Sequence, residues 1–160
     1  MEQALAALGA FLQTSDWYGR ENELVNLFAH GFLARQGHAG APQATQVGIE
    51  VAVKQLPRDG GKELVRKDLV LWGEPNQTVW RDGKPVNDPV AVIEFKVNDH
   101  RKCEVDLAWL RSFTTAYPNV LGYSVCGFVK ESRGIWYARV SGGKVEMDRS
   151  VPVRPASHVG

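Results

Sequence analysis

Apolar residues recur along this chain with two periods, one helical and one extended. Leu5, Leu8 and Leu12 stand at helical spacing and predict a short helix over residues 1–14. Trp17, Leu24, Phe28 and Phe32 then share one stripe at helical periodicity, predicting a second helix over residues 17–36 with Ser15 or Asp16 as its N-cap. Residues 37–45, rich in Gly, Ala and Pro, read as a loop. Alternation follows over residues 46–56, with Val47, Ile49, Val51 and Val53 on one face, and again over residues 63–72. The turn-forming run at residues 57–61 makes these two strands a hairpin. Asp82-Gly83 marks a smaller hairpin between residues 78–81 and 84–86. The run Val90-Ala-Val-Ile-Glu-Phe-Lys-Val97 reads as a buried strand.

Asn98 or Asp99 caps a third predicted helix over residues 101–117, stopped by Pro118, with Val105, Trp109, Ser112, Phe113 and Ala116 as its inward face. Residues 120–129 form a further strand, and residues 135–140 and 144–147 a terminal hairpin around Gly142-Gly143. Residues 149–160 are expected to be a loose tail. There is no internal repeat and no linker, so residues 1–160 are expected to form a single α/β domain with a mixed sheet.

Composition narrows the class. The apolar and charged fractions are those of an ordinary globular protein, and 160 residues suit one core. A formal net charge of +1 excludes a polycation, so any grip on nucleic acid must come from a local patch or an oligomer. Two distant cysteines, Cys103 and Cys126, suit a reducing compartment rather than a disulfide scaffold. No apolar run is long enough to span a membrane, and the stretch 4–12 lacks the basic flank of a secretory signal, so a cytoplasmic protein is expected.

The chemistry centres on charges inside apolar runs. Glu94 and Lys96 lie on one face of their strand, with Val90 and Val92, while Ala91, Ile93, Phe95 and Val97 face the other way. Charges in such a strand are costly unless paired, metal-bound or lining a cleft; a Glu-Lys pair on a wet face satisfies the pattern equally. Asp68 lies in the earlier run Arg66-Lys-Asp-Leu-Val-Leu71, on the face of Val70 and Trp72. Neighbouring strands bring Asp68 and Glu94 together, and two carboxylates there repel unless a cation lies between them. Hard oxygen ligands suit Mg²⁺ or Mn²⁺, and no His or Cys cluster has zinc spacing. Lys96 reaches the same place, where an ammonium orients or helps to deprotonate a water, or stabilises charge on a phosphate.

Glu21 falls inside its helix's apolar stripe, and Glu23 on the polar side. Asp106 lies near the inward side of its helix, where a core partner accounts for it. Lys54, Arg58, Lys62, Arg66 and Lys67 cluster around the first hairpin, and His100, Arg101, Lys102 and Arg111 follow the Glu94 strand; both sets suit a nucleic-acid groove or a solvated surface.

Asp68, then Glu94-Phe95-Lys96 after Val-Ala-Val-Ile, resemble the motif of the PD-(D/E)XK nuclease superfamily, with Lys67 standing where that motif has proline. The resemblance implies the restriction-endonuclease-like fold, a three-layer α/β/α arrangement with core order α-β-β-β-α-β, here followed by a β-hairpin. It further implies metal ligation by Asp68, Glu94 and the backbone carbonyl of Phe95, and a water-serving role for Lys96. A glutamate of the first core helix completes many such sites, Glu21 being the first choice and Glu23 the second. The implied activity is Mg²⁺- or Mn²⁺-dependent hydrolysis of phosphodiester bonds in DNA, by an enzyme that is in many cases a homodimer. Lys62, Arg66, Lys67, His100 and Arg101 are the candidate nucleic-acid contacts. The alternative is an inactive nuclease-like fold serving as a nucleic-acid-binding or assembly module.

Overall fold

A computed structural model of the chain describes residues 1–34, 40–56, 61–130 and 132–151. The expected turn at 57–60 with Arg58, the helix end at 35–36, the loop start at 37–39 and the tail at 152–160 lie outside the described residues.

The chain forms α1 (Glu2–Thr14), α2 (Glu21–Asn26), β1 (Val47–Lys54), β2 (Leu64–Leu71), β3 (Trp80–Arg81), β4 (Lys84–Pro85), β5 (Ala91–Val97), α3 (His100–Ala116), β6 (Leu121–Phe128), β7 (Gly134–Ser141) and β8 (Lys144–Val151). Six strands make one mixed sheet in the order β1-β2-β5-β6-β7-β8. All neighbours are antiparallel except β5 and β6, which run parallel because α3 carries the chain back between them. β3 and β4 form the small separate hairpin, with both Asp82 and Gly83 at positive φ in its turn.

Helices cover both faces of the sheet. On one face Leu5, Leu8 and Leu12 of α1, and Leu24 and Phe28 from the second helical stretch, pack on Leu69, Ile93, Phe95, Val125 and Tyr137. On the other, Leu110 and Phe113 of α3 pack on Val53, Val70, Trp72, Val92 and Val140. Burying apolar side chains on both sides of β5 explains why its sequence is almost continuously hydrophobic.

Several expectations need correction. The second helix starts at Glu21 rather than at Trp17, and becomes a π-helix over Leu27–Leu33. Within the expected loop, Ala44–Gln46 form a turn of 3₁₀-helix. The inward face of α3 is Cys103, Leu110, Phe113 and Thr114, whereas Val105 is 68% exposed. The capping residue is Asp99, whose carboxylate accepts a hydrogen bond from the Lys102 backbone N–H at 3.1 Å. β8 runs on to Val151, which packs against α1 at Gly9, where an added Cβ would lie 2.9 Å from the Val151 Cβ.

The first hairpin does not keep one face throughout. Val47 and Ile49 pack with the α1 and α2 core, but Val51 and Val53 belong with α3. Across the ladder, Leu69 and Leu71 lie with the first core and Val65 with the second. Both strands therefore roll over near Glu50 and Asp68, and Glu50 takes a φ of +55°, in the left-handed region.

Candidate functional site

The roll of β2 opens a fork in the sheet. β2 pairs with β5 only through Leu69–Leu71 against Ala91–Ile93, so Lys67 and Asp68 diverge from Glu94 and Phe95. Asp68 closes the fork with its side chain, Oδ2 accepting the Phe95 backbone N–H at 2.7 Å. Its carboxylate thus lies towards β5, in place of the expected position beside Val70 and Trp72. An aspartate here satisfies a backbone donor that the ladder abandons.

Lys96 is the hub. Its Nζ lies 3.0 Å from Glu21 Oε1, 3.4 Å from Asp106 Oδ2 and 3.6 Å from Asp68 Oδ2, and donates to the Phe95 carbonyl at 2.6 Å. α2 supplies Glu21 from its first turn, and α3 supplies Asp106. Burial opposes the Lys96 charge, but Asp68, Glu21 and Asp106 outweigh it and hold the ammonium well above the usual lysine range. A lysine so held stays charged, donates hydrogen bonds and stabilises negative charge.

Glu94 lies deeper. Its Oε1 accepts from Lys67 Nζ in a buried ion pair. The same ammonium sits 3.3 Å from the centroid of the Trp109 ring of α3. Burial pushes the Glu94 carboxyl up to about 7, opposed by Lys67 and reinforced by the charges of Asp68 and Asp106. Burial also raises the Asp106 carboxyl, against the pull of Lys96. Asp106 Oδ2 is buried, and its contact with Lys96 lacks hydrogen-bond geometry.

The fork thus brings Asp68, Glu21 and Asp106 to Lys96, while Glu94 beside them pairs with Lys67. Glu23 instead serves the helix start, accepting the Arg20 backbone N–H at 2.7 Å. Lys67 departs from its expected place in a nucleic-acid groove, being buried against Glu94 and Trp109. Its position in the alternation, between Val65 and Leu69, was the available signal of a buried lysine. Lys62, Arg66 and Arg101 are exposed, Arg66 within 3.9 Å of Glu50. His100 packs against Trp136, ring centroids 4.9 Å apart and planes tilted by 55°. Lys54 is paired with Asp88 and Lys102 with Asp99, while Arg111 Nε donates to the Gly143 carbonyl.

Hard oxygen donors suit Mg²⁺ or Mn²⁺, and the buried Asp106 Oδ2, which accepts no hydrogen bond, adds another. Yet among the described residues no set of three or more His, Cys, Asp or Glu side chains is arranged to hold a metal ion. Two ammonium groups stand among the four carboxylates, Lys67 paired with Glu94 and Lys96 with Glu21, Asp68 and Asp106. No helix among the described residues is long and apolar enough to cross a membrane.

Comparisons with family models, with curated proteins and with solved structures find no match to this chain.

Proposed function

We propose that this chain is a Mg²⁺- or Mn²⁺-dependent nuclease of the restriction-endonuclease-like fold, hydrolysing phosphodiester bonds of DNA. The observation that carries the reading is the fork between β2 and β5, where Asp68, Glu94, Lys96 and Glu21 converge from three elements. The antiparallel run β1-β2-β5, followed by α3 and the parallel β6, supports the fold assignment.

Asp68, Glu94 and the Phe95 carbonyl would hold the ion, with Glu21 beside them. The chemistry supplied by a bound Mg²⁺ is polarisation of a phosphate oxygen and acidification of a water. Lys96, kept charged by its three carboxylates, stabilises negative charge developing on the phosphate and orients the attacking water. Glu21, Asp68 and Asp106 fix its ammonium in place, which limits the reorganisation needed during reaction. Exposed Arg101 and Lys62 are candidate phosphate contacts, and a homodimer offers the wider basic surface that a net charge of +1 does not.

A second reading, an inactive nuclease-like fold used for nucleic-acid binding or assembly, is favoured by the Lys67–Glu94 pair, which neutralises a ligand carboxylate within the protein. Plasmid cleavage with Mg²⁺ by the wild type and by Lys96→Ala separates the two. Cleavage by the wild type that the variant lacks supports the enzyme; equal cleavage by both, or none by either, overturns it.

A further inference from the structure

We infer that Lys67 occupies the cation position of Glu94, so that a divalent ion reaches this carboxylate only by displacing the Lys67 ammonium. The inference rests on the metal-site reading of Asp68 and Glu94 given above.

Lys67 and Glu94 are each below a tenth exposed, so their charges meet largely without water. Glu94 otherwise faces Asp68 and Asp106, both acids, and Lys67 is the cation paired with it. The face of Trp109 holds the ammonium from a second direction. A side chain that merely filled space there would need no charge, because a buried ion pair gains little over an apolar isostere. Lys67 lies on the part of β2 that pairs with Val51 of β1 but no longer with β5, so a shift of this part of β2 breaks no rung to the Glu94 strand. A divalent ion brings twice the charge of the ammonium to the same carboxylates, so exchange is favoured once the ion concentration compensates for losing the Lys67 contacts. Until then Glu94 is closed, and the apparent affinity for the ion falls by the fraction of molecules in which Lys67 is bound.

The test is calorimetric titration of Mn²⁺ into the full, chelator-stripped chain, comparing wild type, Lys67→Met, Lys67→Arg and the double variant Lys67→Met with Glu94→Gln. Lys67→Met is expected to take up Mn²⁺ about tenfold more tightly than wild type or beyond. Lys67→Arg, which keeps the charge, should show no gain, and Glu94→Gln should cancel the gain of Lys67→Met. Lys67→Gln is titrated alongside, and circular dichroism melting confirms that each variant is folded. Equal affinity in wild type and the neutral variants overturns the role of Lys67 and leaves the nuclease reading standing. A gain in Mn²⁺ affinity with no DNA cleavage by any variant supports the role of Lys67 and overturns the nuclease reading. No uptake by wild type or neutral variants overturns both.

Discussion

The carboxylate of Asp68 accepts the backbone N–H of Phe95 at 2.7 Å, so a side chain from β2 takes the place of a rung that β2 no longer makes with β5. The bond ties the acid's position to the opening of the sheet. The carbonyl of the same residue accepts from Lys96 at 2.6 Å.

Asp68→Asn and Asp68→Ala should therefore behave differently. Asparagine keeps an acceptor for the Phe95 N–H, so stability should stay within about 1 kcal/mol of wild type, whereas alanine orphans that donor and costs roughly 1–3 kcal/mol. Cleavage of DNA should fall by roughly 100-fold or more in both, because the ligand charge is lost in each. Urea melts with a Mg²⁺-dependent plasmid assay check this; undiminished cleavage by Asp68→Asn sinks the ligand role.

Lys96→Met leaves Glu21, Asp68 and Asp106 without their shared cation. The fold should survive at neutral pH with a loss of roughly 1–3 kcal/mol, less than for a fully buried pair because Glu21 is partly exposed. The loss should shrink as pH falls and Asp106, whose carboxyl is already raised by burial, takes up a proton. Chemical denaturation at several pH values reads this directly, and a pH-independent loss contradicts it.

The Glu94 carboxyl is raised from 4.5 to about 7, so the folded chain binds more protons than the unfolded chain between those values. With more protons on the native state, stability decreases as pH rises through this window, the contribution being complete below 4.5 and gone above about 7. Glu94→Gln lacks that titration. Its stability relative to wild type should therefore improve on going from pH 4.5 to pH 8, a comparison that urea unfolding of both proteins provides.

Gly127 of β6 lies under α2, where an added Cβ would meet the buried Leu24 Cδ2 at 2.6 Å. Gly127→Ala should cost roughly 1–3 kcal/mol through overpacking. Because α2 carries Glu21 as well as Leu24, cleavage should fall beyond what the loss of folded protein explains. Thermal melting paired with activity per folded molecule tests the link between helix and site.

Much of this architecture follows from local pattern. Period-two alternation and strong turn residues mark β1, β2, β7 and β8, and the near-continuous apolar run of β5 announces a strand buried on both faces. Acids at Asp68 and Glu94, a lysine at Lys96 and an acid at Glu21 were legible because charge inside an apolar repeat is rare and costly. The inward face of α3 was misjudged in part: Phe113 packs inward as expected, but Cys103 and Leu110 are buried with it, while Val105, two residues from Cys103 and so on nearly the opposite side of the helix, is exposed.

Pairing partners lie beyond such patterns. Whether Glu94 meets a metal, water or Lys67 depends on where β2 rolls and how far it separates from β5, and both are set by contacts between residues distant along the chain. The amino-acid order was enough to say which strands and helices form and which charges are out of place. Packing α2 and α3 against opposite faces of a forked sheet was needed to bring those charges together, because side chains from separate elements acquire neighbours only once the layers close on one another.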